Sequence, residues 1–285
     1  MRYNTVESNG RISVCYSANG KIFGGIVLSV LSVLSHTPRP LTFYLLTMDL
    51  TDQNEMFTPI SQRQAQILDK IAKEYNPENE VILLDETKLF MRELSHGKNI
   101  KNGFTPYAMT RLLLDYADVP QKIIYLDADT MCCSDLSQLF DIDISDYEFA
   151  AVLDKVGHIW VRYNYCNSGV LLLNFENIKK SGLFVKARKR VNKRKMFMPD
   201  QSALNFLAKR KLILPYKFNE QRTIKSDTVI KHFCQGFKWY GPFFRLYNYK
   251  QWHIKEVHEK LGIHDFDRIY EKYDELDKIY CFNEA

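Results

Sequence analysis

The chain has 285 residues, a hydrophobic fraction of 46%, a charged fraction of 26% and a formal net charge of +5. This length suits one large α/β domain or two small ones with a sizeable core, and the composition excludes a disordered or fibrous chain. Apolar stretches such as Gly169 to Leu173 and Ile26 to Leu34 are far shorter than the ~20 residues of a membrane span, which excludes an integral membrane protein on this reading.

Arg2, Asn4, Glu7, Ser8 and Asn9 leave no apolar signal-peptide region, so a cytoplasmic location is expected. The first predicted strand is Arg11 to Ser17. A turn at Ala18, Asn19 and Gly20 leads to a helix over about Ile22 to Ser35, where Ile26, Val30, Val33 and Leu34 recur at helical spacing. Leu41 to Thr47 is a second strand. Ser61 then opens a helix whose Gln64 completes a capping box and whose apolar face is Ile67, Leu68, Ile71 and Ala72. Val81 to Leu84 is a third strand, and this β-α-β-α-β order predicts a parallel sheet covered by helices.

Leu89 to Asn102 is polar and irregular, an expected active-site loop. Tyr107 to Tyr116 is a predicted helix with Arg111 in its middle, followed by the strand Ile123 to Leu126. Further strands are expected at Glu148 to Leu153, ending on Asp154, at Val170 to Asn174 after Asn167-Ser168-Gly169, and at Leu212 to Pro215. Met198-Pro199-Asp200-Gln201 opens a helix in which Asp200 either caps or faces a cleft. Ile230 to Trp239 holds an apolar strand with His232 and Lys238.

The stretch Ile123 to Cys133 carries the chemistry. An apolar run ends in Asp127 and Asp129, separated by Ala128, and residues two apart on an extended segment face the same way. Two adjacent carboxylates repel unless a positive charge joins them, so a divalent cation bridging to a phosphorylated ligand is expected. A solvated strand end and an aspartyl-phosphate phosphatase, with Asp127 as nucleophile and Asp129 as general acid, are the alternatives. Met131 stands where that phosphatase pattern wants Thr or Val, and no later acidic cluster follows. No glycine-rich phosphate cradle follows the first strand either, which leaves a metal and basic side chains to handle any nucleotide charge.

Cys15, Cys132, Cys133, Cys166, Cys234 and Cys281 show no metal spacing and are expected to be free thiols. Lys179, Lys180, Lys186, Arg188, Lys189, Arg190, Lys193, Arg194 and Lys195 form a basic run that suits an anionic membrane surface, a polyanion or a solvated helix face. No nucleic-acid partner is expected.

Val14-Cys15-Tyr16-Ser17-Ala18, Tyr125-Leu126-Asp127-Ala128-Asp129, Asn167-Ser168-Gly169-Val170-Leu171-Leu172, and Pro199-Asp200-Gln201 before His232 and Lys238 resemble, in order and spacing, the bacterial family 8 glycosyltransferases, relatives of glycogenin and galactinol synthase. The resemblance implies a GT-A type α/β fold over residues 1–245, with 246–285 as a C-terminal helical tail that meets a membrane or partner through Trp252, Tyr270, Tyr273 and Tyr280. It implies a retaining hexosyltransferase using Mn²⁺ or Mg²⁺ and UDP-glucose or UDP-galactose to extend a glycan, glycolipid such as lipopolysaccharide, or glycoprotein. Asp127, Asp129 and His232 would hold the metal; Ser17, Ala18, Asn19, Lys21, Arg111, Ala128, Gly236 and Lys238 would bind the donor; Asp200, Gln201 and Asn167 would act at its sugar. A non-catalytic nucleotide-sugar binder is a further alternative, because Asn19, Lys21 and Gln235 depart from the family pattern.

Overall fold

The computed structural model describes residues 10–100, 106–240 and 243–282, with backbone alone over 237–240 and 243–245. Arg2 to Asn9, Lys101 and Asn102 of the expected loop, and the side chains of Lys238 and Trp239 therefore lie outside the described residues.

Strand β1 (Ile12–Ser17) leads through helix α1 (Phe23–His36) to β2 (Leu41–Thr47), then through α2 (Gln62–Tyr75) to β3 (Glu80–Asp85). Every residue of β1 and β2 is buried. Both faces of these strands are covered, so they read as continuous apolar runs. Ile12, Val14 and Tyr16 enter the core beneath α1 and α2, whereas Cys15 enters the core on the opposite face. The predicted capping box of α2 is present: Gln64 N donates to Ser61 Oγ at 3.1 Å, and Ser61 N to Gln64 Oε1 at 2.9 Å.

Helix α3 (Thr87–Glu93) occupies the start of the segment expected to be an irregular loop. Phe90 and Leu94, four apart, both drive into the second core, a helical spacing that the surrounding polar residues obscure. Asn99 then ties this segment to the far side of the domain, donating to Arg194 O at 2.7 Å and accepting from Met196 N at 2.8 Å. Pro106–Leu113 is a 3-10 helix rather than the expected longer helix.

Strand β4 (Lys122–Leu126) is followed by short β5 (Thr130–Cys132), α4 (Ser137–Phe140), β6 (Phe149–Leu153), α5 (Gly157–Trp160) and the long β7 (Cys166–Asn174). Helices α6 (Phe175–Ser181), α7 (Leu183–Lys193) and α8 (Pro199–Leu207) precede β8 (Lys211–Leu214), β9 (Ile230–His232) and the hairpin of β10 (Gly236–Tyr240) and β11 (Phe243–Tyr247). The seven-stranded sheet has the order β3-β2-β1-β4-β7-β6-β8. Only β7 is reversed: it is antiparallel to both β4 and β6, and the other pairings are parallel. Its start, Asn167 to Gly169, therefore lies beside the end of β4.

The tail carries α9 (Ile254–Glu256), a π-turn at Val257–Leu261 and α10 (Asp267–Tyr280). Val257, Ile263, Phe266, Ile269, Tyr270, Leu276 and Phe282 share one core with α1. Trp252, Tyr273 and Tyr280 also pack against that core, so the aromatic residues expected at a tail surface are turned toward protein. One member of the basic run is likewise internal: Arg188 is 3% exposed and pairs with Asp115 at 2.6 Å.

Candidate active site

Asp127 and Asp129 converge through a turn, not through an extended strand end. Asp127 N donates to Gly169 O at 2.8 Å, anchoring the turn to β7, and Thr130 Oγ1 donates to Asp127 O at 2.8 Å, closing it. Antiparallel pairing of β5 with β9 matches Thr130 to His232, which brings an imidazole 103 residues downstream against Asp129. His232 Nε2 lies 3.1 Å from Asp129 Oδ1 and 4.0 Å from Asp127 Oδ2. One ligand atom from each of the three lies within 4.8 Å of the others.

Gly169 is where β7 passes beneath this group. A Cβ there would sit 2.2 Å from His232 Cε1 and 2.8 Å from Asp127 Oδ2, so only glycine leaves room for both side chains.

Behind the carboxylates stands Arg111, 2% exposed. Its Nη2 donates to Asp127 Oδ1 at 2.8 Å, its Nε pairs with Asp200 Oδ2 at 3.2 Å, and its Nη1 bonds Ser168 O. The guanidinium lies 4.3 Å from the Tyr125 ring centroid, and Tyr125 Oη donates to Asp127 Oδ1 at 3.1 Å. Burial alone would lower the Arg111 pKa, but the carboxylates of Asp127 and Asp200 raise it, so this cation is permanent. Burial pushes Asp200 up against the opposing pull of Arg111. Asp200 does not cap its helix. Met198 takes the N-cap position with φ 48° and Pro199 follows, which turns Asp200 and Gln201 inward, 4% exposed each.

A second network runs from the imidazole to Asp154. His232 Nδ1 donates to Asn219 Oδ1 at 3.1 Å, and Asn219 Nδ2 donates to Asn167 Oδ1 at 2.9 Å. Asn167 Nδ2 and Gln201 Nε2 both donate to Asp154 Oδ2, at 3.1 and 3.3 Å, while Gln201 Oε1 accepts from Ser168 N at 2.9 Å. Asp154 Oδ1 accepts from Gly157 N at 2.7 Å, which ties α5 to the site.

Lys250 completes the group. Its ammonium pairs with Asp129 Oδ2 and donates to Phe233 O at 3.0 Å. Burial would raise the Asp129 pKa, but His232 and Lys250 hold it far below the ordinary carboxylate range. The neighbouring Gln251, fully buried, donates to Ala128 O at 2.5 Å and Gly25 O at 3.2 Å, pinning the tail across the Asp127–Asp129 turn.

The structure thus joins Arg111, Asp127, Asp129, Asn167, Asp200, Gln201 and His232 in one connected site. Ser17, Ala18 and Asn19 lie at the end of the adjacent strand, where the register Tyr16↔Leu126 sets Ser17 level with Asp127. Ser17 Oγ donates to Tyr107 O at 2.8 Å, and Asn19 Oδ1 caps Ile22 N at 3.2 Å. Lys21 instead lines a cavity of about 250 Å³ with Trp252, Tyr273 and Asp277. Gly236 opens β10, where a Cβ would meet the Tyr247 ring at 2.4 Å. Lys238 pairs with Arg245 in the hairpin register.

A sequence signature described as glycosyl transferase family 8 matches residues 13–239. The chain belongs to glycosyltransferase family 8. It is therefore a glycosyltransferase, as the ordered motifs predict. Among sequence relatives, a lipopolysaccharide 1,3-galactosyltransferase of Salmonella typhimurium is 27% identical over 245 residues, spanning 77% of this chain and 67% of the relative. A lipopolysaccharide glucosyltransferase WaaO of Escherichia coli is 23% identical over 253 residues, spanning 78% and 70%. Galactosyltransferase LgtC, solved in complex with donor and acceptor sugar analogs, superposes with a TM-score of 0.62 at 19% identity over 93% of this chain and 96% of LgtC. That likeness shows the GT-A type fold.

The donor set of this glycosyltransferase fits a divalent metal. Asn219 Oδ1 takes the Nδ1 proton of His232, which aims Nε2 at a carboxylate oxygen 3.1 Å away, so an imidazole nitrogen and two carboxylates, the donor types a divalent cation takes, face one point. Asp127, Asp129 and His232, whose ligand atoms lie within 4.8 Å of one another, are the residues that would hold such an ion.

Four participants were not singled out from the sequence. Asp154 had a signal, since it ends a strand as Asp127 does. Tyr125 sat inside the motif. Asn219 and Lys250 have no local mark; they act only through contacts more than ten residues away.

Proposed function

We propose that this glycosyltransferase is metal-dependent and retaining, and transfers glucose or galactose from a UDP-sugar to a lipopolysaccharide-type glycan acceptor. The observation that carries the reading is the convergence of Asp127, Asp129 and His232 beyond the carboxyl end of β4, beside the gap between β1 and β4 where the strand order reverses. Ligands of open α/β sheets bind at such points. The names of the lipopolysaccharide transferases among the relatives support the acceptor class.

A divalent cation such as Mn²⁺, suited to a mixed carboxylate and imidazole set, supplies positive charge to the leaving diphosphate when bound. Arg111 holds Asp127 in place from behind and pairs with Asp200 beside Ser168. Asp200 then orients donor-sugar hydroxyls. Gln201 is an amide already bonded to Ser168 N and Asp154, a poor nucleophile. Front-side attack by an acceptor hydroxyl on an oxocarbenium-like centre therefore suits retention better than a covalent intermediate. Ile159, Trp160 and Tyr163, 67%, 80% and 79% exposed, follow the Gly157 turn that Asp154 anchors, and this reading assigns them to the acceptor.

The test is incubation of the protein with UDP-glucose or UDP-galactose and Mn²⁺, following hexose release and its anomeric form by NMR. Slow metal-dependent release of the α-anomer is expected. Donor binding without any turnover would favour the non-catalytic binder, and a sugar adduct on Asp200 or Asp154 by mass spectrometry would overturn front-side attack.

A further inference from the structure

We propose that the tail carries a second metal site, built by His258, His264 and Asp267 and suited to a borderline divalent cation such as Zn²⁺, Co²⁺ or Ni²⁺. It stands apart from the Asp127–Asp129–His232 centre and does not depend on that centre's assignment. His258 Nε2 lies 2.9 Å from Asp267 Oδ1, and His264 Nδ1 lies 3.4 Å from Asp267 Oδ2, so each carboxylate oxygen faces a different imidazole. The two rings stack at 4.5 Å between centroids, 19° from parallel. One ligand atom from each residue falls within 4.8 Å of the other two, the same closeness as at the active site.

A hydrogen-bonded pair would account for His258 and Asp267 alone. His264, 63% exposed in its side chain, adds a second imidazole, stacked on His258 and turned to the other oxygen of the same carboxylate. The hydroxyl of Tyr270 is an unexplained group nearby. Tyr270 is 4% exposed, its Oη has no hydrogen-bond partner among the described residues, and its ring stands edge-on to His258 at 5.8 Å. A buried unpaired hydroxyl is costly, and a ligand or water carried on an ion is the kind of partner it lacks.

The site is held by the core on both sides. Val257, Ile263 and Phe266 are buried beside the three ligands, and Gly262, at φ 64°, makes the left-handed turn that doubles the chain back. Placing the ligands therefore costs little ordering on binding. Two imidazoles and one carboxylate favour Zn²⁺, Co²⁺ or Ni²⁺ over Mg²⁺ or Ca²⁺, and the exposed His264 side leaves a position open to water. A bound ion would link the π-turn to the first turn of α10, stapling the tail that lies across the active-site turn.

The experiment measures Co²⁺ stoichiometry by titration and visible absorption, with Zn²⁺ displacement as a check, in the full chain. Wild type should bind two equivalents, His264→Ala one, the Asp127→Asn/Asp129→Asn pair one, and the combined variant none. Zn²⁺ should also raise the Tm of the Asp127→Asn/Asp129→Asn protein, and this rise should vanish on adding His264→Ala. Because His264 is exposed, its replacement leaves the fold intact. Equal stoichiometry in wild type and His264→Ala overturns the proposal; loss in His264→Ala with no change in the Asp127→Asn/Asp129→Asn pair upholds it and overturns the active-site assignment instead.

Discussion

Gly169→Ala tests the site geometry with one methyl group. The added carbon would lie 2.2 Å from His232 Cε1, whereas carbon atoms rest at about 3.5–4.0 Å, so the ring must withdraw by roughly 1.3 Å. It cannot do so freely, since its Nδ1 is held by Asn219 and its backbone by the β5–β9 pairing. Metal sites accept ligand displacements of only about 0.2 Å. The same methyl presses Asp127 Oδ2 at 2.8 Å, disturbing a second ligand. Overpacking of this kind costs about 1–3 kcal/mol, which in a domain of this size lowers Tm by only about 2–10 °C. Mn²⁺ affinity should fall far more, by at least about 100-fold, because even outer-shell changes cost about 10–100-fold. Calorimetric titration with Mn²⁺, beside far-UV circular dichroism to confirm folding, reads both effects. A folded Gly169→Ala protein that binds Mn²⁺ as wild type does would refute the ligand assignment.

Three further outcomes follow from the same contacts. Lys250→Met removes a cation that competes for Asp129; since a charge-assisted bond contributes about 1.5–3 kcal/mol, Mn²⁺ binding without nucleotide should tighten about 10–100-fold in titration calorimetry, and weaker binding would contradict the competition. Arg111→Met leaves Asp127 and Asp200 without their shared buried partner and should cost about 3–5 kcal/mol in urea unfolding, while Arg111→Lys keeps the charge but cannot reach both carboxylates and Ser168 O together, so it should lose donor affinity even where stability recovers. Lys231 is buried, and burial pushes its pKa from 10.5 down to about 8. Between those values the unfolded chain binds more protons than the folded one, so this group makes stability rise with pH across that window, by about 3 kcal/mol at most, relative to Lys231→Met; parallel urea midpoints at pH 8 and 10.5 that show no difference in slope would refute it.

Local pattern determined much of this protein. Burial on both faces made β1 and β2 continuous apolar runs, helical spacing marked α1, the Ser61 and Gln64 pair marked the start of α2, and the Asp127-Ala128-Asp129 cluster marked the site. Each of these is set by neighbours within a few residues. The helix at Thr87–Glu93 escaped because its buried positions, Phe90 and then Leu94 just beyond it, stand among polar ones.

Only the tertiary structure decided the reversal of β7, since a buried strand has the same apolar composition whichever way it runs. That reversal sets Gly169 beneath the carboxylates, and the β5–β9 ribbon then delivers His232 to them. The tail brings Lys250 to Asp129 across 121 residues and folds its aromatic side chains inward. No local rule foretells such contacts, because they are fixed by how layers pack and which strand edges meet, and the site's charge balance is settled there.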